Sequence, residues 1–465
     1  MNRTAVLNVV GLCQSLVGPA TPRMDEFLRK GALATVVPAF PAVTCTAQST
    51  YLTGTLPKQH GIVGNGWYDR QLAEVQFWKQ SNHLVHGPKI WDALHDRDPK
   101  FTCAKLFWWY NMYSTADYSI TPRPLYPADG RKIFDIYTAP QSIRADIKKD
   151  LGEFPFPSFW GPAAGVDSPQ GRAAAVSRWI ADSAQWIERK YQPTLSLIYL
   201  PHLDYNLQRL GPSHPNISKD VRQIDAIVGD LIDFFQSHSV QVILLSEYGI
   251  TDVATPIHLN RLFREQGWIT IKDELGREMH DCGASKVFAV ADHQIAHVYL
   301  NDASLETKAR SLLEQQAGID RVLDRAGQAS LGIDHPRAGD LIAVASDGAW
   351  FTYYYWLEDK VAPDFARCVD IHRKPGYDPV ELFLDPSKPF MKLKIGWRLL
   401  QKKLGFRMVM DVISLDASLV NGSHGRCPPK ASEYPVLISE KPGLVSNSQI
   451  ESTDVYGVIL RAVAG

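Results

Sequence analysis

The sequence predicts an α/β fold: a doubly wound, mostly parallel central sheet with helices on both faces, plus an inserted α+β cap. Three observations carry this. Apolar runs at 5–10, 194–200 and 240–245 stop abruptly at glycine, proline or a polar cluster. Segments with helical spacing lie between such runs, and a β-rich stretch at 268–365 interrupts the alternation. Strands that are apolar throughout belong to sheets covered on both faces, and strands alternating with helices give parallel sheets.

The elements follow in order. Residues 5–10 form a β-type run that ends at Gly11. A helix over 23–30 carries Met24, Phe27 and Leu28 on one side. An extended segment at 34–40 leads to a helix that begins near Thr44. A helix at 89–95 and a strand at 103–106 come next. The aromatic run at 107–113 suits either core packing or the wall of a pocket for an organic group. With the Pro-, Tyr- and Asp-rich residues that follow, 107–165 reads as an irregular insertion. A helix at 173–191 precedes the strand at 194–200. In the helix at 218–235, Val221, Ile224, Val228, Leu231 and Phe235 recur at helical spacing, and the strand at 240–245 follows. The expected core is 1–267 with 366–465, and the cap is 268–365, with β runs at 287–290, 297–300 and 341–345 and a polar helix at 305–316. Residues 389–407 read as a basic amphipathic helix. Leu393, Trp397, Leu400 and Leu404 share one face, with Lys392, Lys394, Arg398, Lys402 and Lys403 around it. The expectation is a helix packed on the core; a membrane surface or a polyanionic partner is the other reading.

Composition narrows the function. With 465 residues, 45% of them hydrophobic, the chain can bury a large core. A net charge of -1 and a pI near 6.9 argue against nucleic-acid binding. The six cysteines are far apart with no CxxC pair, so a thiolate zinc site or a disulfide framework is not expected. Free thiols in a cytoplasmic enzyme are expected instead. No apolar run approaches transmembrane length. The first residues make a poor signal peptide, because Asn8 breaks their short apolar run.

The chemistry centres on residues 38–65. Pro38 and Pro41 stiffen the entry. Thr44, Thr46, Ser49 and Thr50 then gather hydroxyls where a helix starts. A helix N-terminus attracts phosphate, and a hydroxyl held there is placed to attack phosphorus.

The order Phe40-Pro41-x-x-Thr44, Leu52-Thr53-Gly54, Pro57, His60-Gly61-Ile62 and Asn65 resembles the nucleophile segment of the alkaline phosphatase superfamily. The branch it looks most like is that of the nucleotide pyrophosphatase/phosphodiesterases and the phosphonoacetate hydrolases. The resemblance implies that Thr44 is the nucleophile, beside a pair of divalent metals. It continues at Asp204, where Gln208 replaces the family's His four residues later, ahead of Gly211-Pro212. Ser246-Glu247-Tyr248-Gly249 stands where the families have Ser-Asp-His-Gly. Gly422-Ser423-His424-Gly425 resembles the closing His-Gly motif, so His424 completes the first metal site with Asp204. Val10 takes the place of the Asp that normally ends the first strand; Asn8, on the same face, is the neutral substitute. In the polar motif at 370–378, His372 is a further ligand, or clamps phosphate together with Arg373 and Lys374. The Asn expected three residues after the nucleophile is Ala47. Gln48 or Asn65 then supplies that donor, and Tyr248 donates to a phosphoryl oxygen.

The resemblance therefore implies a metal-dependent hydrolase of a phosphoester or phosphodiester in a small organic or nucleotide-like molecule. Thr44, Asp204, Glu247 and His424, with Gln208, Asn8 and His372, are the metal candidates. The lost Asp and His ligands imply one good site or a changed metal (Zn, Mn or Mg, one or two ions). A phosphonate hydrolase or phosphoryl transferase on the same scaffold is one alternative. A degenerate binding or scaffold protein is another.

Overall fold

The computed structural model describes residues 1–129, 131–166, 174–445 and 447–465. Its centre is a nine-stranded sheet. In spatial order the strands are Gln449–Glu451, Ala32–Val37, Val436–Ser439, Gln241–Leu245, Thr4–Val9, Leu195–Leu200, Cys103–Leu106, Tyr118–Pro122 and Ile136–Ala139. Only Val436–Ser439 and the edge strand Ile136–Ala139 run antiparallel to their neighbours. The doubly wound, mostly parallel sheet predicted from the apolar runs is the one observed.

Burial explains why those runs are apolar throughout. Thr4–Val9, Leu195–Leu200 and Gln241–Leu245 are buried at every position. They are covered by helices that include Ala175–Tyr191, Ile217–Ser237 and Asp454–Ala464. Each Val, Leu or Ile so enclosed contributes about 1.5–3 kcal/mol. The helix predicted over 173–191 is described from Ala175; residue 173 lies outside the described residues.

Two expectations change. The stretch 107–165 is not irregular throughout, because Tyr118–Pro122 and Ile136–Ala139 extend the main sheet and Ser142–Leu151 packs beside them. Prolines at the ends of these short edge strands hide their β pattern. The helix Met391–Lys403 has no buried residue, although its apolar face was expected to pack on the core. Lys394 and Arg398 hold it to Asp411 instead, and Met391 and Ile395 give a narrow second stripe.

The β-rich stretch forms a second sheet with its own core. Val287–Asp292, Ile295–Leu300, Leu341–Ala345 and Ile319–Leu323 pair antiparallel in that order, with Glu306–Gln315 packed on one side. The turn of the first hairpin, residues 292–295, points back toward the main sheet's carboxyl edge, where His293 stacks on His424. None of the six cysteines forms a disulfide. Among the described residues no helix is long and apolar enough to cross a membrane.

A short strand, Gly422–Ser423, lies against the helix His202–Leu210. A Cβ on Gly422 would overlap the Leu207 carbonyl. Gly422→Ala is expected to cost about 1–3 kcal/mol in denaturant unfolding. Gly396→Ala, in open space within the exposed helix, is expected to be neutral or to stabilise by up to about 1 kcal/mol.

Candidate active site

Three adjacent parallel strands deliver the polar residues. Asn8 lies inside the central one, Thr4–Val9. Glu247 and Tyr248 follow Gln241–Leu245 on one side. Asp204 lies on the helix His202–Leu210, directly after Leu195–Leu200 on the other. Sites of open α/β sheets form at such carboxyl ends. Thr44 is the first residue of the helix Thr44–Thr53, and only 4% of it is exposed.

A hydrogen-bond chain joins these elements. The Thr44 hydroxyl lies 3.0 Å from the Tyr248 hydroxyl, which donates to Asp204 Oδ1 at 3.1 Å. Gln208 donates from Nε2 to Asp204 Oδ2 at 2.9 Å, and its Oε1 accepts from Tyr377 at 2.7 Å. Glu247 Oε1 accepts from Asn8 Nδ2 at 2.5 Å and from Gln48 Nε2 at 2.6 Å. The Tyr248 and His424 rings stack with centroids 3.6 Å apart and planes 7° from parallel. His424 Nδ1 meets the Ala42 carbonyl at 2.7 Å, so that nitrogen carries the proton and donates. Its Nε2 keeps a lone pair 4.0 Å from Asp204 Oδ1.

Burial sets the charges. It pushes Asp204 up to about 7, against the bonds from Tyr248 and Gln208. It pushes Glu247 up to about 8, against Gln48, Asn8 and Thr44. It holds His424 well below its ordinary value, with His293 adding to the effect. Burial favours the neutral form of each of these groups.

The other candidates fall as follows. Gln48 holds Glu247 and accepts from the Trp109 backbone at 2.7 Å, so both ends of its amide are engaged. Asn65 accepts from the Cys45 N–H at 3.0 Å and donates to Asp292, so it braces the helix that carries Thr44. His372 faces the Phe77 carbonyl, outside the cluster. Arg373 is half exposed and pairs with Asp364. The motif at 370–378 enters the cluster through Tyr377 instead. His202, two residues before Asp204, lies 3.4 Å from Asp220 and turns away from the cluster.

Sequence reasoning missed three groups. His293 stacks on His424 and on Tyr377, with centroids 3.7 and 3.6 Å away. Asp292 bonds His293 at 2.8 Å. Tyr199 lines the same cleft. The one available signal was Asp292-His293-Gln294, a polar triplet between two apolar strands. The cleft holds about 50 Å³ of space and widens into solvent. Its walls include Trp78, Trp109, Phe159 and Trp160, so half of the expected role for the aromatic run holds: Trp109 lines the cleft while Trp108 packs in the core.

A family model for type I phosphodiesterase / nucleotide pyrophosphatase matches residues 4–378. The chain belongs to this family. An uncharacterized pyrophosphatase/phosphodiesterase of Schizosaccharomyces pombe is 25% identical over 236 residues, which are 49% of this chain and 39% of that protein. The ectonucleotide pyrophosphatase/phosphodiesterase 1 of Saccharomyces cerevisiae is 21% identical over 234 residues, 48% of this chain and 29% of that protein. The matches thus span well under half the length of these relatives. Among solved structures, murine ectonucleotide pyrophosphatase/phosphodiesterase 5 covers 100% of the chain, and 95% of it is covered, with a TM-score of 0.60 and 14% identity. An inactive threonine-to-alanine variant of the murine protein, in complex with AMP, superposes with a TM-score of 0.58 and the same 14% identity and coverage. Phosphonoacetate hydrolase from Sinorhizobium meliloti, in complex with phosphonoformate, gives 0.61 at 14% identity, covering 99% of this chain and 96% of that one. These structures share the alkaline-phosphatase-like fold.

In this family member the donor set does not fit a full pair of divalent cations. At Gln208 and Tyr248, where the family has ligand nitrogens, hydrogens are aimed at Asp204 instead of lone pairs at a cation. The Tyr248 hydroxyl stands between Thr44 and Asp204. Both Asp204 oxygens and Glu247 Oε1 already accept from neutral donors. Among the described residues no group of three or more His, Cys, Asp or Glu is arranged to hold a metal. The site does keep acceptors in reserve: Glu247 Oε2, Asn8 Oδ1 and His424 Nε2 are buried without a hydrogen-bond partner.

A carboxyl whose folded-state pKa is raised stabilises the fold when protonated, and that contribution is lost as pH rises. For Glu247, with an ordinary value of 4.5 and a folded value near 8, the loss runs between those two values. Glu247→Gln is expected to flatten the fall of melting temperature across that window. A variant whose melting temperature falls as steeply as the parent's would show that Glu247 is not the group titrating.

Proposed function

We propose that the chain hydrolyses a phosphate ester or diester of a small organic molecule, with Thr44 as the nucleophile. The hydrogen-bond chain from Thr44 through Tyr248 to Asp204 carries this reading. The Thr44 oxygen attacks phosphorus as its proton passes to the Tyr248 oxygen. The Tyr248 proton passes to Asp204 in the same movement, so Asp204 is the base and Tyr248 the relay. The bond from phosphorus to the organic oxygen breaks, that oxygen leaves as an anion and takes a proton from solvent, and a phosphothreonine forms. When water displaces Thr44 from phosphorus, the water gives one proton up to solvent, and the relay runs backward to return the proton held on Asp204 to the threonine oxygen. The N-terminus of Thr44–Thr53, where a helix favours an anion, lies at the nucleophile. Trp78, Trp109 and Trp160 enclose the organic group.

Two findings from outside this chain support phosphoester chemistry with a threonine. The family is named for phosphodiester and pyrophosphate chemistry. The murine relative loses activity on a threonine-to-alanine change and is then found with AMP bound. A nucleotide-like molecule is accordingly the first substrate class to try. No step in this reading runs through a metal; each proton transfer is carried by Thr44, Tyr248 and Asp204.

Turnover of a nitrophenyl phosphodiester tests the proposal. Thr44→Ala is expected to abolish turnover, and Tyr248→Phe to lower kcat by about 10²–10⁴-fold. Activity is expected to survive EDTA. Unchanged turnover in Thr44→Ala would remove the nucleophile. Activity lost to EDTA and restored by Zn²⁺ or Mn²⁺ would return a cation to the mechanism. Saturable AMP binding without any turnover would favour a binding protein.

A further inference from the structure

The helix Met391–Lys403 touches the rest of the molecule along one stripe. Met391, Lys394, Ile395, Arg398 and Gln401 are partly covered, at the spacing of a single helix face. Met391 and Ile395 lie against the cluster that contains Trp356 and Phe365. Lys394 and Arg398 each reach Asp411 at 2.9 Å. Leu393, Trp397, Leu400 and Leu404 lie on the opposite face and point outward. Leu393 is 69% exposed and Trp397 58%. Phe390, Leu399, Phe406 and Val409 are exposed beside them, so eight large apolar side chains meet solvent within twenty residues. A soluble surface rarely carries so many together without a partner.

Charge says what the partner is. Between Asp385 and Asp411 there is no acidic residue. The same segment holds Lys388, Lys392, Lys394, Arg398, Lys402, Lys403 and Arg407. Asp411 engages Lys394 and Arg398, and Asp385 engages Lys388. Lys392, Lys402, Lys403 and Arg407 form no ion pair among the described residues and are exposed. An outward apolar stripe flanked by unpaired cations suits a surface that is apolar inside and anionic at its face. Trp397 at the middle of the stripe, with Phe390 and Phe406 beyond its ends, suits the boundary between headgroups and acyl chains. Thirteen residues make a helix of about 20 Å, too short to span a bilayer.

We propose that this helix is an interfacial anchor, lying flat on a membrane leaflet that contains anionic lipid. Leu393, Trp397, Leu400 and Leu404 enter the acyl boundary, and the four unpaired cations meet lipid phosphates. Among the described residues the helix is held to the fold through its Met391 stripe and Asp411, and the opposite face is free to dock without unfolding.

Flotation of the full chain with vesicles tests this. Binding is expected to phosphatidylcholine vesicles that contain phosphatidylglycerol, and to fall as salt is raised. Trp397→Ala with Leu400→Ala is expected to weaken binding about tenfold or more. Lys392→Glu with Lys403→Glu is expected to abolish the preference for phosphatidylglycerol. All four side chains are exposed, so circular dichroism and melting temperature should be unchanged. No binding by the parent, or equal binding by parent and both double variants, would overturn the proposal. So would a concentration-dependent dimer that Trp397→Ala with Leu400→Ala dissociates and that vesicles do not compete, since a second copy would then cover the face.

Discussion

The site depends on one phenol. Tyr248 bridges Thr44 and Asp204, two residues carried by elements far apart in sequence. Its ring is clamped against His424, whose own orientation is fixed by the Ala42 carbonyl. That carbonyl lies two residues ahead of Thr44, so the nucleophile, the phenol and the imidazole form one closed circuit. The circuit is almost fully buried. In so dry a place a hydrogen bond is electrostatically stronger than in water, and a missing one costs more.

The departures from the superfamily pattern make physical sense together. Bare carboxylates in this setting would each cost several kcal/mol unless paired. Divalent cations are one means of pairing them, and hydrogen donors are another. Asn8 and Gln48 donate to Glu247, while Gln208 and Tyr248 donate to Asp204. At Gln208 and Tyr248 a hydrogen stands where the family has a ligand nitrogen. The changes at Gln208 and Tyr248 run in one direction, toward hydrogen donors, while Glu247 Oε2 and His424 Nε2 stay without a partner. Burial that lifts both carboxyl pKa values toward and above neutrality is the same fact seen as a titration.

How much of this was legible in the sequence varied with range. The apolar strands were legible because full burial on both sheet faces leaves no polar position to confuse the pattern. Thr44, Asp204, Glu247 and His424 were legible through the resemblance to the superfamily's motifs, and the structure brings all four into one cluster. Tyr377 was not, because the motif that contains it also offers His372 and Arg373, and spacing alone does not say which side chain turns inward. The helix Met391–Lys403 has two faces with apolar residues, and the stripe with the larger side chains was taken for the buried one. The smaller stripe won because Asp411, outside the helix, ties Lys394 and Arg398 to the fold.

The second sheet shares in the placement of Thr44. Asp292 ends its first strand and accepts from both the backbone N–H and the side-chain amide of Asn65, at 2.7 and 3.0 Å. Asn65 in turn accepts from the N–H of Cys45, the residue after Thr44. Those bonds fix the first turn of the nucleophile helix to a hairpin that arises more than two hundred residues later in the chain. The same hairpin supplies His293, which closes the stack over His424. A cap that moved as a separate lid would have to break these buried bonds, each leaving a desolvated polar group behind. The second sheet therefore acts as a wall of the site. On the other side the cleft is lined by Trp78 and Trp160, both only partly buried.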